Sequence, residues 1–172
     1  TYHFQEALES LLPNCKYFSE LILVINGEIN KYKIALINEH KKHLKIKLVK
    51  LKNNVGLSRG LNIGITRAKY QWIARFDSDD CCTKDRFKEA ARIISLYGKD
   101  LDVFGTYIKE FNFDIKNLSF ERKVPLIYRD IKRRLLISNP MNHVTVIFRK
   151  ALVDKFSNPS FYPHIDGFED YA

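Results

Sequence analysis

This 172-residue chain contains one methionine, one tryptophan, three cysteines, five prolines and seven glycines. The cysteines exclude most. Cys15, Cys81 and Cys82 are odd in number and two are adjacent, which does not make the framework of a disulfide-stabilised secreted domain and points to a reducing compartment. No Pro-rich or Gly/Ser-rich tract and no repeat divides the chain, so a single domain over residues 1–172 is expected, long enough to bury a real core. Long apolar runs are missing too. Stretches such as Leu21–Ile25 fall far short of the roughly 20 residues that cross a bilayer, and the opening residues do not read as a signal peptide. The expected setting is the cytoplasm, with any membrane contact peripheral.

What is abundant is positive charge. Lys and Arg outnumber Asp and Glu by 29 to 20, an excess that attracts phosphates, nucleic acid or an anionic membrane surface without choosing among them. The cations spread between Lys41 and Lys52, around Arg59 and Arg67, and from Arg129 to Arg134. They do not interleave with aromatic residues in an RNA-binding pattern, so nucleic acid is not the expected partner.

Apolar spacing gives the organisation. Phe4, Leu8, Leu11 and Leu12 recur at helical intervals until Pro13 and Asn14 stop them. Ser19–Ile25 reads as a buried strand closed by the turn Asn26-Gly27. A helix over about Asn30–His40 and a Lys-decorated strand through Leu44, Ile46, Leu48 and Leu51 follow. Leu57, Leu61 and Ile65 then mark a helix whose Gly60 and Gly64 leave another face bare. Glycine there costs about 1 kcal/mol relative to Ala, so the bare face implies close approach, to a strand or to a ligand. Trp72–Phe76 predicts a further strand and Lys84–Tyr97 a helix; beyond Gly98 the pattern predicts a long strand over Leu101–Phe113, an irregular basic stretch, a helix near Leu126–Ile137 and a strand at Val144–Phe148. Strand and helix alternation predicts an α/β domain with a mixed, mostly parallel sheet flanked by helices, whose ligands bind beyond the carboxyl ends of the strands.

Asp77, Asp79 and Asp80 lie at such an end. Three carboxylates within four positions repel one another unless a cation, hydrogen bonds or solvent offsets them, and hard oxygens of this kind suit Mg²⁺ or Mn²⁺. Equally, acidic residues at a turn before a helix are favoured by its dipole, and the cluster alone does not decide between the two.

The wider pattern does. Asn54-Val55-Gly56-Leu57-Ser58-Arg59-Gly60-Leu61-Asn62-Ile63-Gly64-Ile65, then Tyr70-Gln71-Trp72-Ile73-Ala74-Arg75-Phe76-Asp77-Ser78-Asp79-Asp80 and Lys84-Asp85-Arg86, resembles glycosyltransferase family 2 and its GT-A (Rossmann-like) fold. Arg122–Pro125, Asn139–Lys150 and Glu169-Asp170-Tyr171 are similar to segments of its capsule- and exopolysaccharide-building members. The resemblance implies a metal-dependent, inverting transfer of sugar from a nucleotide donor, most simply a UDP-sugar, to a saccharide or lipid-linked saccharide acceptor in surface polysaccharide synthesis. The donor would be held by Asn26, Gly27, Asn54, Gly56, Arg59, Asn62, Asp77 and Asp79, with Mn²⁺ or Mg²⁺ on Asp79, Asp77 and Asp80. Asp170 would be the base, oriented by Glu169. His143 is ambiguous between an imidazole held at the core edge and a contact to donor sugar or acceptor. Cys81 and Cys82 have no zinc spacing and read as packed thiols.

The chain also departs from the family. Members open with a strand central to the sheet and continue past the Glu-Asp motif, so the domain is expected to be incomplete at both ends. Asn26 stands where many members have Asp, and Leu61 where many have Arg, a role Arg59 would have to take from another helical face. The departures support a second reading, a catalytically inactive nucleotide- or polyanion-binding module.

Overall fold

The computed structural model describes residues 2–111, 117–156 and 160–163. α1 (Tyr2–Leu11) buries Phe4, Ala7, Leu8 and Leu11 on one face, and Pro13 seats the 3₁₀ turn Leu12–Asn14 that ends it. β1 (Leu21–Asn26) follows. α2 (Lys31–His40) starts at Asn30, whose side chain accepts the Lys33 N–H at 2.8 Å and satisfies one donor of the first turn. α2 carries the chain back to β2 (Ile46–Leu51), which pairs in parallel with β1 from Leu21↔Ile46 to Asn26↔Leu51.

α3 (Leu57–Arg67) lies against β1 through its bare face: a Cβ on Gly64 would stand 3.2 Å from Val24 Cγ2, and one on Gly60 3.6 Å from Asn26 Nδ2. Of the two readings of that face, close packing on a strand is the one realised. β3 (Trp72–Ala74), α4 (Arg86–Tyr97), β4 (Val103–Phe104), β5 (Ile108–Phe111), β6 (Leu118–Arg122) and α5 (Tyr128–Arg134) continue the chain. A 3₁₀ turn, His143–Thr145, then leads into β7 (Ile147–Arg149) and α6 (Ala151–Phe156).

The pairing is mixed. Among the described ladders the parallel one is β1 with β2; β7 enters antiparallel between β3 and β4, with Ile73↔Phe148 and Phe104↔Ile147, and β5 and β6 form an antiparallel hairpin.

One core gathers Leu8, Leu11, Ile25, Leu36, Ile37 and Leu44 with Phe87 of α4. Ile37 and Leu44 are completely enclosed, positions where truncation to Ala typically costs about 2–5 kcal/mol. A second cluster packs Ile65 and Phe148 with Tyr162.

The expected long strand over 101–113 is instead broken between β4 and β5. Thr145 causes the break: its Oγ1 accepts the Thr106 N–H at 2.9 Å, and a Cβ at Gly105 would come within 3.0 Å of the same oxygen. The basic stretch read as irregular contains β6, and the expected helix over Leu126–Ile137 contracts to α5. Around α5 the surface is unusually apolar, with Leu126, Tyr128, Leu136 and Ile137 between 77% and 86% exposed beside Arg129, Lys132, Arg133 and Arg134. No described helix is long and apolar enough to cross a membrane.

Candidate active site

β1 and β3 lie in separate ladders, and the segments leading into them are joined by the Lys69 N–H donating to Glu20 Oε1 at 2.8 Å. At the end of β1, Gly27 has φ +96° and a Cβ there would sit 3.0 Å from the Asn54 backbone nitrogen, so backbone and space both require glycine. Asn26 clamps the loop opposite. Its Oδ1 accepts the Val55 N–H at 2.8 Å and its Nδ2 donates to the Gly56 carbonyl at 3.0 Å, while Asn54 Oδ1 accepts the Gly56 N–H at 3.0 Å. Gly56, at φ +84°, caps α3 with open space where a side chain would be. Arg59 is exposed on the first turn of that helix. Backbone N–H groups at a helix start beneath open space favour an anionic group such as phosphate.

At the end of β3 the three aspartates occupy a turn in which the Asp80 N–H donates to the Asp77 carbonyl at 3.4 Å. Asp79 is exposed; Asp77, about one-third exposed, forms an ion pair with Arg75, whose side chain is buried. Asp80 is held above the usual carboxylate range, first by burial and then by the charges of Asp77 and Asp79, against which Arg75 and Arg86 act more weakly.

Arg86 braces the turn from beneath. Its Nη2 donates to the Arg75 carbonyl at 2.9 Å and to the Val144 carbonyl at 3.0 Å, and its guanidinium lies 5.4 Å from the ring centre of Phe76 and 5.1 Å from that of Phe87. Asn14, wholly buried, joins α1 to the same region: its Nδ2 donates to the Thr83 carbonyl at 3.0 Å and its Oδ1 accepts the Phe87 N–H in the first turn of α4. Cys82 packs against Ser10, its thiol pushed up by burial; burial also raises Cys81, to about 11, so both are protonated packed thiols as expected.

Two expected residues meet at Tyr162. Asn62 Nδ2 donates to the Tyr162 carbonyl at 2.8 Å and its Oδ1 accepts the Tyr162 N–H at 3.0 Å, so both amide groups tie α3 to the 160–163 segment. His143 Nε2 lies 3.1 Å from the Tyr162 hydroxyl, with the rings edge to face at 5.4 Å, an imidazole held at the core edge. Glu169 and Asp170 lie outside the described residues.

Among the described residues no three His, Cys, Asp or Glu side chains form a ready metal cage. The donor set still fits a hard divalent cation of the Mg²⁺ type, which takes one or two carboxylates and completes its shell with water and substrate phosphate. Asp79 and Asp80 supply such oxygens where negative charge is already crowded.

The sequence pattern known as glycosyl transferase family 2 matches residues 4–156. The chain belongs to glycosyltransferase family 2. The amylovoran biosynthesis glycosyltransferase AmsE of Erwinia amylovora is 30% identical over 169 residues, covering 98% of this chain and 61% of its own. The Escherichia coli UDP-Gal:alpha-D-GlcNAc-diphosphoundecaprenol beta-1,3-galactosyltransferase is 28% identical over 170 residues, covering 97% and 59%. The crystal structure of S. aureus TarS 1-349 in complex with UDP-GlcNAc superposes with a TM-score of 0.74 at 22% identity, covering 98% of this chain and 47% of that one. The family 2 chain thus has the expected GT-A fold, and it spans about three-fifths of the length of these curated relatives.

Arg75, Arg86, Asn14 and Tyr162 join the site without being among the residues expected from the sequence. A signal for Arg75 was present: a cation inside the apolar run Trp72–Phe76 must find a partner if the run is buried, and Asp77 is two residues away.

Proposed function

We propose that this domain binds the nucleotide diphosphate of a sugar donor between the Asn54–Gly56 loop and the Asp77–Asp80 turn, and belongs to an enzyme that transfers the sugar to a growing surface polysaccharide. The observation that carries the reading is the pairing of these two features at the carboxyl ends of β1 and β3 in a family 2 chain. Asn26 and Asn54 hold the loop, and the α3 N-terminus beside Gly56 offers donors to phosphate. Asp77, Asp79 and Asp80 would hold Mn²⁺ or Mg²⁺, which would supply positive charge against the leaving diphosphate. Asp170 takes the proton of the acceptor hydroxyl as that oxygen bonds to the anomeric carbon from the face opposite the breaking bond to the diphosphate, giving inversion, and Glu169 orients it. The galactosyltransferase relative is named for a UDP-linked donor and a diphosphoundecaprenol-linked acceptor, which supports a UDP-sugar and a lipid-linked acceptor here. The apolar and cationic surface around α5 supports docking on an anionic membrane at the cytoplasmic face.

Calorimetric titration of the protein with UDP and Mn²⁺ tests the site. Metal-dependent binding is expected, and Asp79→Ala is expected to lose it; equal binding by that variant would remove the assignment. A panel of nucleotide sugars then reads the donor.

A further inference from the structure

Phe148 of β7 and Phe161 stack with ring centres 5.1 Å apart, and Tyr162 meets Phe161 edge to face at 5.3 Å. These rings and Leu152 of α6 wall a cavity of about 320 Å³, which Asn139 and His143 also line. Its size limits what it can take: roughly ten times the ~30 Å³ share of one liquid water is room for one hexose ring. Its lining is of two kinds. Aromatic faces pack against the C–H faces of such a ring, and amide, imidazole and phenol groups pair with its hydroxyls, the combination of apolar wall and few polar groups that small-molecule pockets use.

The surroundings connect the cavity to the site and to charge. Next to His143, the Val144 carbonyl accepts from Arg86 Nη2 at 3.0 Å, and the same Nη2 donates to the Arg75 carbonyl ahead of Asp77, so this wall is one residue from the brace of the aspartate turn. Next to Asn139, the Ser138 N–H donates to the Arg134 carbonyl at 2.9 Å and its Oγ accepts from Arg134 Nε at 3.3 Å. The last turn of α5, with Lys132, Arg133 and Arg134, therefore adjoins the cavity. A ring held here is near both the candidate transfer site and a cation cluster that suits phosphate. We propose that the cavity receives the terminal sugar ring of the acceptor, and that Arg133 and Arg134 hold the phosphate or diphosphate linking that ring to its carrier. The role of the ring as acceptor rests on the transfer reading; its binding is measured without donor or metal.

The test adds the 1-phosphates of glucose, galactose and N-acetylglucosamine in turn to the isotope-labelled protein at millimolar concentration and follows the amide resonances. Inorganic phosphate, the methyl glycosides of the same sugars and farnesyl diphosphate are the comparison probes. At least one sugar phosphate is expected to shift Met141, His143, Val146 and Phe161 together with Arg133 and Arg134, and inorganic phosphate the two arginines alone. No shift at the cavity amides with any of the three overturns the inference. So does a shift there with farnesyl diphosphate and none with the sugar phosphates, which gives the cavity to an apolar chain. Val103→Trp fills the cavity from a side chain that is 41% exposed, and is expected to remove the shifts at His143 and Phe161 while keeping those at Arg133 and Arg134. Arg133→Gln with Arg134→Gln changes exposed positions away from the cavity wall, and is expected to weaken the sugar phosphate about tenfold and leave the methyl glycoside unchanged. Cavity shifts that survive Val103→Trp, or equal affinity in the double variant, overturn the inference. The titration with UDP and Mn²⁺ stays separate: its failure removes the transfer reading, whereas failure of the sugar phosphates removes the cavity assignment alone.

Discussion

Arg75 is only 7% exposed and forms an ion pair through Nη2 with Oδ1 of Asp77, two residues further along the turn that carries the candidate site. An ion pair half in and half out of the protein has a direction: the arginine is held by its burial, with Arg86 bonded to its backbone carbonyl, and the carboxylate is aimed by the arginine. Removing Arg75 leaves Asp77 without its partner and removes one of the two cations that oppose the raised pKa of Asp80. Arg75→Met is therefore expected to cost about 1–3 kcal/mol in urea unfolding, less than a fully buried pair because Asp77 is partly solvated. It should also weaken Mn²⁺-dependent UDP binding about 10–100-fold, the range typical of residues that orient metal ligands. Arg75→Lys keeps the charge and loses the fork, so an intermediate loss in calorimetry is the expected result.

Asp80 gives a pH prediction whose sign is fixed. Burial, Asp77 and Asp79 raise its pKa in the fold above the ordinary 3.8, so between those two values the folded protein holds more protons than the unfolded chain. Its contribution to stability then falls as pH rises through that window and stays low above it. Asp80→Asn is expected to raise the urea midpoint at pH 7, the gain vanishing below about pH 3.8. The same variant should bind Mn²⁺ and UDP less well, because the charge that destabilises the turn is the charge that attracts the cation.

Much of this architecture was legible because it is local. The apolar spacing of Phe4, Leu8 and Leu11, the run before Asn26 and the stops at Pro13 and Asn26-Gly27 depend on residues a few positions apart, and α1, β1 and α3 fall within two residues of the expected limits. The break between β4 and β5 was not legible, because it is imposed by Thr145, 39 residues from Thr106. Within the site the acidic turn was visible as composition, but its bracing was not: Arg86 bonds to a carbonyl at Val144, 58 residues away, and Asn14 to an amide at Phe87, 73 residues away. Asn62 matched the motif, and the fold commits its amide to Tyr162.

Asn26 tests how far family resemblance transfers. Its amide donates to Gly56 and accepts from Val55 in the same clamp, and a carboxylate can do only the second. Asn26→Asp, the residue many members carry, is expected to lower stability here by about 1 kcal/mol and loosen the loop, read as faster exchange of the Val55 and Gly56 amides. An unchanged melting temperature and exchange rate would mean the clamp contributes nothing.

The surface around α5 makes the last prediction. Arg129, Lys132, Arg133 and Arg134 stand beside side chains as exposed as Leu136 and Ile137, both 86% exposed, a combination that can insert apolar groups below a layer of charge on anionic lipid. Each cation near such a surface contributes about 1 kcal/mol, so replacing all four by Gln should lower partitioning onto vesicles by about two to three orders of magnitude. Flotation with vesicles containing anionic lipid checks this, with zwitterionic vesicles as the baseline and a salt series beside them, since screening beyond about 8 Å at physiological ionic strength should weaken the wild-type interaction. Leu136→Ser with Ile137→Ser should reduce binding while leaving its salt dependence intact, because it removes the inserted groups and keeps the charge. Binding that ignores both salt and the four Gln replacements would place the membrane contact elsewhere on the molecule.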